Sequence, residues 1–424
     1  MNYDEALSFW YGRINYEVRS AQPGDLKLER MRALLQLLGN PHDRVRLVHV
    51  TGTKGKGSTC AMLAQILRCA GYRVGLFTSP HLEHVEERIQ VDGVSITHAE
   101  LAARMTELAP AVQLLEADRG PGISFFEIGT ALGFLHFCYR RCDVAVIEVG
   151  LGGRFDSTNV CNPLVSVITN VGYDHTAQLG NTLEEIAFQK AGIIKHRVPV
   201  VSGVTQPGPR DVVRKIATEM HAPLWEVTDL TSGGSESSGT SLGLLGMHQI
   251  ANAECAFSAI DQLRRTGMPI SQAAVASGLE TVRWPARIER IGERPTVILD
   301  TAHNVPSAEA LVHTLRISFP VPGHKSVVFA VSVDKQYVEI IRILAGYFDR
   351  FYVTKYANPR AVSPEKLAAV LGEIAPGKPC TIHAKPGEAW AAARAASGVN
   401  DLVCITGSVF LAGELRPVLT GSDS

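Results

Sequence analysis

The stretch VRLVHVTGTKGKGSTC, residues 45–60, decides the fold. Its first six positions are mostly apolar or β-branched, which predicts a buried strand at 45–50. The glycines of residues 51–57 allow backbone N–H groups to wrap around phosphate oxygens, and the helical pattern of residues 60–69 places a helix N-terminus behind them. Lys56 can reach terminal phosphates from such a loop. A strand, a glycine-rich loop and a helix in this order predict a phosphate-binding loop in an α/β fold.

The loop departs in two places from the general phosphate-loop pattern G-x-x-x-x-G-K-[ST]. Val50 stands where the first glycine is expected, and Gly57 separates Lys56 from the hydroxyl groups of Ser58 and Thr59. The alternative is a glycine-rich turn that binds no ligand. The strand and the helix on either side favour phosphate binding, with one of the two hydroxyl groups facing a magnesium ion.

Outward from this loop, short apolar runs alternate with helix-length segments. Runs of this kind are buried on both faces and predict a parallel sheet covered by helices. Before Trp284 and Pro285 the further strands are expected at 73–77, 143–149, 164–169 and 198–201. After these two residues a second alternation predicts strands at 296–300, 326–331, 350–354, 379–383 and 401–406.

The two alternations predict two domains, and so does the length of 424 residues. We expect an α/β fold with an N-terminal parallel-sheet domain of the phosphate-loop ATPase type at 1–285. A smaller Rossmann-like domain is expected at 286–424. Residues 231–241 are rich in glycine and serine and have too little apolar content to pack, so we expect a mobile loop there.

Composition limits the classes of function. Hydrophobic residues make up 46% of the chain and charged residues 20%, as in globular proteins. The formal net charge of −1 argues against nucleic-acid binding through phosphate neutralisation. The eight cysteines are scattered, with no CxxC pair and no zinc-site spacing. The N-terminus carries charges where a signal peptide needs an apolar run. The chain has no apolar run long enough for a membrane span. We therefore expect a cytoplasmic protein with reduced thiols and no membrane partner.

A second polar cluster begins at the end of the strand at 143–149. Glu148 closes the apolar run, and residues 150–159 supply glycines, Arg154 and small polar side chains. Ligands of open α/β sheets collect at the carboxyl ends of the strands. An enclosed carboxylate needs a cation or a hydrogen-bond donor. Glu148 therefore binds magnesium or pairs with Arg154, and the pattern does not decide between the two.

The next strand is followed by a third polar group, which ends in Asp174 and His175. A lone histidine is more often structural, but at this position His175 is a reasonable metal or phosphate contact. Thr182 and Glu185 have the spacing of a capping box and predict the start of a helix. That helix carries Lys190 among small and apolar residues, and these residues alone favour a surface lysine over a functional one.

Three positions further along remain open. Asn252 lies near a predicted helix start, where it would bond to an adenine edge or cap the helix. Arg287 lies at the proposed domain junction, where it would face a cleft or form an interdomain salt bridge. Asp300 ends the first strand of the second domain and is followed by His303, so this segment would face a cleft or cap a helix.

Taken together and in chain order, nine segments resemble the folylpolyglutamate synthase and dihydrofolate synthase family, within the wider group of Mur-type ligases. The resemblance spans nearly the whole chain. The segments are residues 51–59, 78–82, 87–89, 124–127, 148–159, 190–195, 248–249, 284–287 and 300–304. Three positions depart from the family pattern: Lys54 stands where asparagine is usual, and Ala286 and Thr301 stand where glycine is frequent.

The resemblance implies a Mur ligase-type fold and an ATP-dependent ligase that adds L-glutamate to folates, to dihydropteroate, or to both. It implies ATP and magnesium as cofactors and leaves a monovalent cation open; we expect a monomer. The implied ATP-binding residues are Gly55, Lys56, Gly57, Ser58, Asn252, Arg287 and Asp300. The implied metal ligands are Ser79, Glu148 and His175. The implied catalytic residues are Lys56, a carbamylated Lys190, and His303 near the transferred phosphate. The implied substrate contacts are Ser124, Phe125, Phe126, Glu127, Phe155, Asp156 and Ser157.

A carboxylate does not form an amide at neutral pH, because its oxygen is a poor leaving group. We expect ATP to convert it to an acyl phosphate, which the glutamate nitrogen then attacks. Lys56 and magnesium would neutralise charge on the transferred phosphoryl group, and the second domain would close over the first to exclude water.

Two other functions remain as alternatives. One is a Mur-type ligase acting on a peptidoglycan precursor, against which the segments 78–82 and 124–127 argue. The other is a non-catalytic nucleotide-binding switch, which would leave Glu148, His175 and Lys190 without a common purpose.

Overall fold

A computed structural model describes residues 1–16, 27–119, 122–227 and 241–421. The chain divides into two compact units, Met1–Gly243 with Gln249–Val282 and Leu244–His248 with Arg283–Ser424. The segment expected to be a mobile loop at 231–241 lies outside the described residues, apart from Ser241. No helix in the described ranges is both long enough and apolar enough to cross a membrane.

The first unit combines one sheet with helices. Its strands are β1 (Arg46–Thr51), β2 (Val74–Phe77), β3 (Ile89–Val91), β4 (Val94–Ser95), β5 (Val144–Glu148), β6 (Val165–Ile168), β7 (Val200–Ser202) and β8 (Leu224–Glu226). Its helices are α1 (Tyr3–Tyr11), α2 (Leu28–Leu37), α3 (Lys56–Cys69), α4 (His98–Arg119), α5 (Phe125–Tyr139), α6 (Thr176–Leu179), α7 (Leu183–Lys190), α8 (Pro207–Glu219), α9 (Met247–Arg265, whose first two residues fall in the second unit) and α10 (Gln272–Thr281).

The strand order of this sheet is β4-β3-β2-β5-β1-β6-β7-β8. The strands from β2 to β8 in this order run parallel, whereas β3 runs antiparallel to its two neighbours, β2 and β4. Both faces of the sheet are covered. In β1, Leu47 belongs to a hydrophobic cluster with α1, α2, α4 and α5, whereas Val48 and Val50 are also buried but point to the other face.

The second unit has its own sheet. Its strands are β9 (Glu289–Glu293), β10 (Thr296–Leu299), β11 (Lys325–Phe329), β12 (Arg350–Val353), β13 (Cys380–Ile382) and β14 (Leu402–Thr406). Its helices are α11 (Val305–Ser318), α12 (Tyr337–Ala345), α13 (Pro364–Ile374), α14 (Pro386–Ala395) and α15 (Val409–Thr420). The strand order is β13-β12-β11-β14-β10-β9, with β9 antiparallel to β10 and the other pairs parallel. The expected α/β fold class is thereby confirmed.

All ten strands predicted from apolar runs are present, with ends shifted by at most two residues. The sheets also contain antiparallel pairs that were not predicted: β3 runs antiparallel to β2 and to β4, and β9 runs antiparallel to β10. β3 and β4 are only three and two residues long, so they carry no periodic signal. Their connection, Asp92-Gly93, has positive φ at both residues, the conformation of a tight hairpin turn.

Helix α3, which follows the phosphate loop, packs closely against α10. A Cβ on Gly278 of α10 would lie 2.6 Å from the Cα of Ile66, so the two backbones approach more closely than an alanine allows. Gly372 of α13 is also helical, but a Cβ there meets nothing within 4 Å. The contact at Gly278 therefore fixes the position of α3 in the first unit.

We expect Gly278→Ala to lower the free energy of unfolding by about 1–3 kcal/mol, because the added methyl group must push α3 and α10 apart. Thermal and urea unfolding of the full chain measure the change. Gly372→Ala is the matched control and should be neutral or slightly stabilising, since alanine is the better helix former. Equal stability of the Gly278→Ala protein and the wild type would contradict the close approach.

Candidate active site

The carboxyl ends of three neighbouring strands, β1, β5 and β6, lie side by side in the first sheet. β1 pairs in parallel with β5 and β6, which places Val50 opposite Glu148 and Thr51 opposite Ile168. The hydroxyl of Thr51 donates to the carbonyl of Gly152 at 2.6 Å. The phosphate loop and the segments after β5 and β6 are therefore neighbours, as is usual for ligand sites at the carboxyl ends of parallel strands.

The phosphate loop ends at Gly55, which precedes α3 with a φ of +78°, a conformation that favours glycine. Lys56 begins the helix, and its Nζ donates to the carbonyl of Gly52 at 3.2 Å. The side chain of Asn252 packs against the loop, since a Cβ on Gly55 would lie 2.0 Å from its Oδ1. Gln249 accepts a hydrogen bond from the Asn252 Nδ2 at 2.8 Å. The structure thus brings Asn252 to the loop that carries Lys56.

Glu148 lies at the end of β5 with only 4% of its surface exposed. Its Oε2 accepts a hydrogen bond from the backbone N–H of Ser79 at 3.2 Å, so the segment after β2 reaches the same place. Arg154, the alternative partner of Glu148, donates to the carbonyl of Phe188 at 3.4 Å. Its guanidinium also stacks over the ring of Phe188 at 3.9 Å. The geometry therefore groups Glu148 with Ser79.

The turn that carries His175 is tied to the phosphate loop. The hydroxyl of Thr53 accepts from the N–H of Gly172 at 2.9 Å, and the Nζ of Lys54 lies 2.7 Å from Oδ2 of Asp174. His175 itself has a left-handed φ of 49°, and its Nε2 lies 3.8 Å from Oδ1 of Asp174. The structure therefore places His175 close to the glycine-rich loop of β1.

Lys190 is the last residue of α7 and is 3% exposed, so it is not a surface lysine. Burial, the largest cause, lowers the pKa of its ammonium well below the ordinary value. The nearby cations Lys56 and Lys54 act in the same direction, and Asp174 acts against them. The Lys190 amine therefore lies in the electrostatic field of the phosphate loop and of the turn after β6.

The first group of expected substrate contacts has structural partners. Ser124 caps α5 by accepting from the N–H of Glu127, and the Glu127 carboxylate accepts in return from the N–H of Ser124. Arg30 donates to the same carboxylate at 2.9 and 3.1 Å. Phe125 is buried and stacks on Trp10 with ring centroids 5.0 Å apart. These contacts give Ser124, Phe125 and Glu127 structural roles that need no ligand. Phe126 is the remaining residue of the segment 124–127.

Phe126 packs against Gly150, where an added Cβ would lie 2.5 Å from its ring. Asp156 is buried and accepts two backbone N–H groups of its own loop at 2.9 and 3.0 Å. The hydroxyl of Ser157 is also buried and bonds to another hydroxyl at 2.8 Å. Phe155, by contrast, is 51% exposed. Asp156 and Ser157 therefore shape the loop, whereas the ring of Phe155 is accessible.

In the second unit, Asp300 follows β10 and is buried. Its two oxygens accept backbone N–H groups at 3.0 and 2.7 Å, and burial raises its pKa despite the nearby Arg287. Asn304, rather than Asp300, caps α11. Arg287 donates to the hydroxyl of Thr301, and Nδ1 of His303 lies 2.8 Å from the carbonyl of the same residue. Arg287, Asp300 and His303 thus lie around one segment of this unit.

Two contacts near the strand ends were not predicted from the sequence. Lys54 pairs with Asp174 across 120 positions, and Asn252 meets Gly55 although the two are almost 200 positions apart. The charges of Lys54 and Asp174 and the side-chain amide of Asn252 can be read from the sequence. A single sequence gives no information on which distant residues meet, so only the topology of the sheet reveals these pairs.

Comparison with known proteins agrees with the geometry of both units. Residues 50–205 match the Mur ligase middle domain, and residues 286–409 match the glutamate ligase domain of Mur ligases. The strand-end site and the two sheets therefore define an ATP-dependent ligase of the Mur type. A relative from Bacillus subtilis, described as dihydrofolate synthase/folylpolyglutamate synthase, is 37% identical over 98% of each chain.

A folylpolyglutamate synthase from Lacticaseibacillus casei is 35% identical over the full length of both chains. Among solved structures, Escherichia coli FolC in complex with DHPP and ADP has a TM-score of 0.86 and 30% identity, over 100% of this chain and 99% of that one. Mycobacterium tuberculosis folylpolyglutamate synthase complexed with ADP has a TM-score of 0.87 and 32% identity, over 98% of each chain. This chain belongs to the folylpolyglutamate synthase and dihydrofolate synthase family, and it is an ATP-dependent glutamate ligase of folate metabolism. The resemblance inferred from the nine segments is confirmed.

Proposed function

We propose that the protein joins L-glutamate to the carboxylate of dihydropteroate and of reduced folates, through an acyl phosphate formed with ATP. The observation that carries the proposal is the meeting of the phosphate loop, the Glu148–Ser79 pair and the His175 turn at one sheet edge. Support for both substrates comes from the Bacillus subtilis relative, whose description includes both activities, and from the DHPP and ADP bound by FolC.

In this proposal the N-terminal domain spans residues 1–285 and the C-terminal domain spans residues 286–424. The two matched ligase domains support this division. The proposed phosphate contacts are Gly55, Lys56, Gly57 and Ser58. Asn252, Arg287 and Asp300 are the other proposed nucleotide contacts, and His303 is proposed to lie near the transferred phosphate. The contact of Asn252 with Gly55 supports the assignment of Asn252 as a nucleotide contact.

Magnesium fits the residues at the strand ends. Glu148 offers a hard carboxylate oxygen that lies against the backbone of Ser79, a residue with a hydroxyl side chain, and His175 lies in the neighbouring turn. Among the described residues, no group of three or more His, Cys, Asp and Glu side chains is arranged to hold an ion by itself. Magnesium often takes only one or two protein ligands and completes its shell with phosphates and water. The bound ion would supply charge neutralisation for the phosphates.

The reaction is a phosphoryl transfer followed by an acyl transfer. A substrate carboxylate oxygen attacks the terminal phosphorus of ATP, the bond to the bridging oxygen breaks, and ADP leaves. The neutral amine of glutamate then attacks the acyl carbon, an amide bond forms, and phosphate departs as the amine loses its proton. Lys56 and the N–H groups at the start of α3 stabilise the negative charge that moves between these oxygens.

We assign the pteroyl substrate to the segments of Ser124–Glu127 and Phe155–Ser157, as the resemblance implies. The accessible ring of Phe155 and the position of Phe126 against Gly150 support direct contact by these two side chains. Ser124, Phe125, Glu127, Asp156 and Ser157 would act by holding the two loops in place. The protein is proposed to act as a monomer in the cytoplasm.

We expect ATP consumption only when magnesium, L-glutamate and either dihydropteroate or a reduced folate are all present. Release of ADP, together with mass spectrometry of the pteroyl product, measures the coupling. The product should gain one glutamyl unit for each ADP released. Turnover of ATP at the full rate without glutamate would contradict the proposal, as would the absence of a glutamylated product. Activity with only one of the two pteroyl substrates would restrict the proposal to that activity.

A further inference from the structure

Lys54 places a second lysine in the phosphate loop, and its charge has a specific partner. Its Nζ lies 2.7 Å from Oδ2 of Asp174, and the two side chains are 30% and 14% exposed. An ion pair partly withdrawn from water interacts more strongly than one on the open surface. The pair joins the loop after β1 to the turn after β6.

Uncharged hydrogen bonds already join these two segments nearer to the strands. The backbone N–H of Lys54 donates to Oδ1 of Asn170 at 2.9 Å, and Nδ2 of Asn170 donates to the carbonyl of Lys54 at 3.0 Å. The hydroxyl of Thr53 exchanges hydrogen bonds with the backbone of Gly172. The ion pair extends this connection two residues beyond Gly172, to Asp174.

The Asp174 carboxylate also contacts the residue that follows it. While Oδ2 binds Lys54, Oδ1 accepts the backbone N–H of His175 at 3.1 Å. His175 has a left-handed backbone, which costs energy for a residue other than glycine and needs support from its surroundings. Asp174 therefore links the ammonium of Lys54 to the backbone of the proposed metal ligand.

We propose that Lys54 is a positioning residue for nucleotide binding with its divalent cation. Through Asp174 it holds the His175 turn against the phosphate loop, and it does so without contacting the phosphates itself. The inference rests on the proposed function, because it takes the phosphate loop and His175 as the nucleotide and magnesium site.

Direct contact between Lys54 and a phosphate is the competing mechanism, and the two mechanisms predict opposite effects at Asp174. If Lys54 binds phosphate directly, removing the negative charge of Asp174 frees the lysine and lowers repulsion, so nucleotide should bind as well or better. If Lys54 acts through Asp174, removing either partner loosens the same turn. Nucleotide with its cation should then bind more weakly in both variants.

The test compares the full-length wild type, Lys54→Met, Asp174→Asn and the double variant by calorimetric titration with ADP, with excess magnesium and with EDTA. Each single variant should bind ADP with magnesium about tenfold more weakly, and the double variant should also lose about tenfold rather than a hundredfold, because both changes break one link. In EDTA the losses should be at most about twofold. Lys54→Arg, which keeps the charge, should bind within about threefold of the wild type.

Arg214→Met is the matched control, because Arg214 and Glu226 form an ion pair at 2.8 Å at the far edge of the same sheet. Its binding should equal that of the wild type, and circular dichroism and thermal unfolding establish that every variant is folded. Unchanged or tighter binding by Asp174→Asn, or multiplied losses in the double variant, would overturn the proposal. Wild-type protein that fails to bind ADP with magnesium would instead overturn the phosphate-loop assignment on which it rests.

Discussion

Lys190→Ala is expected to be nearly inactive yet correctly folded. Lys190 is 3% exposed, and burial together with the neighbouring lysines lowers its pKa, so a larger share of its amine is uncharged at neutral pH than in an exposed lysine. We propose that this amine nitrogen attacks the carbon of carbon dioxide and loses a proton, which leaves a carbamate anion. An anion suits a position close enough to the cations Lys56 and Lys54 to feel their charge, whereas an ammonium there would repel a bound cation.

The measurement is turnover with and without added formate, which can occupy the anion site that the alanine leaves. Formate should restore part of the activity of Lys190→Ala but none of the activity of Lys190→Arg, whose cation remains. Lys195 is a matched control, because burial also lowers its pKa and its Nζ donates to the carbonyl of Asn159 at 2.7 Å. Formate should not improve Lys195→Ala. A well-resolved structure with a free Lys190 amine, in the presence of magnesium, bicarbonate and an ATP analogue, would refute the carbamate.

Lys56→Ala should lower turnover by about a thousandfold, comparable to the loss of a main electrostatic stabiliser of the transition state. Lys56 is the first residue of α3, and its ammonium is turned back toward the loop, where it donates to Gly52. Its charge is therefore held where the phosphates would meet the N–H groups of the helix. The effect should fall mainly on kcat, since the charge that Lys56 neutralises develops as the phosphoryl group moves.

Initial rates at saturating ATP separate a loss of kcat from a loss of affinity. Lys215→Ala, which changes an exposed lysine of α8, is the control and should retain full activity. A Lys56→Ala protein that keeps most of its activity under these conditions would remove the phosphate-loop assignment.

The sequence allowed the central strands to be predicted, because each is a continuous apolar run bounded by polar or glycine-rich residues. It failed for β3, β4, β8 and β9, which are short or lie at the sheet edges, where side-chain patterns are weak. The signal that was missed for β3 and β4 is the Asp92-Gly93 dipeptide between them. A tight-turn signal of this kind identifies a hairpin even when the strands beside it are too short to show alternation.

For the candidate site, the sequence allowed the loops to be located, but it did not allow the contacts between them to be predicted. The strand–loop–helix pattern located Lys56, whereas the residues around Lys190 favoured a surface lysine and only the family resemblance singled it out. The partner of Lys54 and the close approach of Asn252 to Gly55 depend on which strands are neighbours in the sheet. The order of the strands arises from packing between distant segments, so it cannot be predicted from local sequence patterns.

The position of β14 has a consequence for synthesis of the protein on the ribosome. β14, at Leu402–Thr406, lies between β11 and β10 and pairs with both, although it is made more than a hundred residues after β10. Until it emerges, the growing chain holds two separate groups of strands, each with an open hydrogen-bonding edge, and such edges promote misassembly and aggregation. A nonsense mutation shortly before residue 402 would remove a central strand rather than an edge, so we expect it to abolish folding of the second unit.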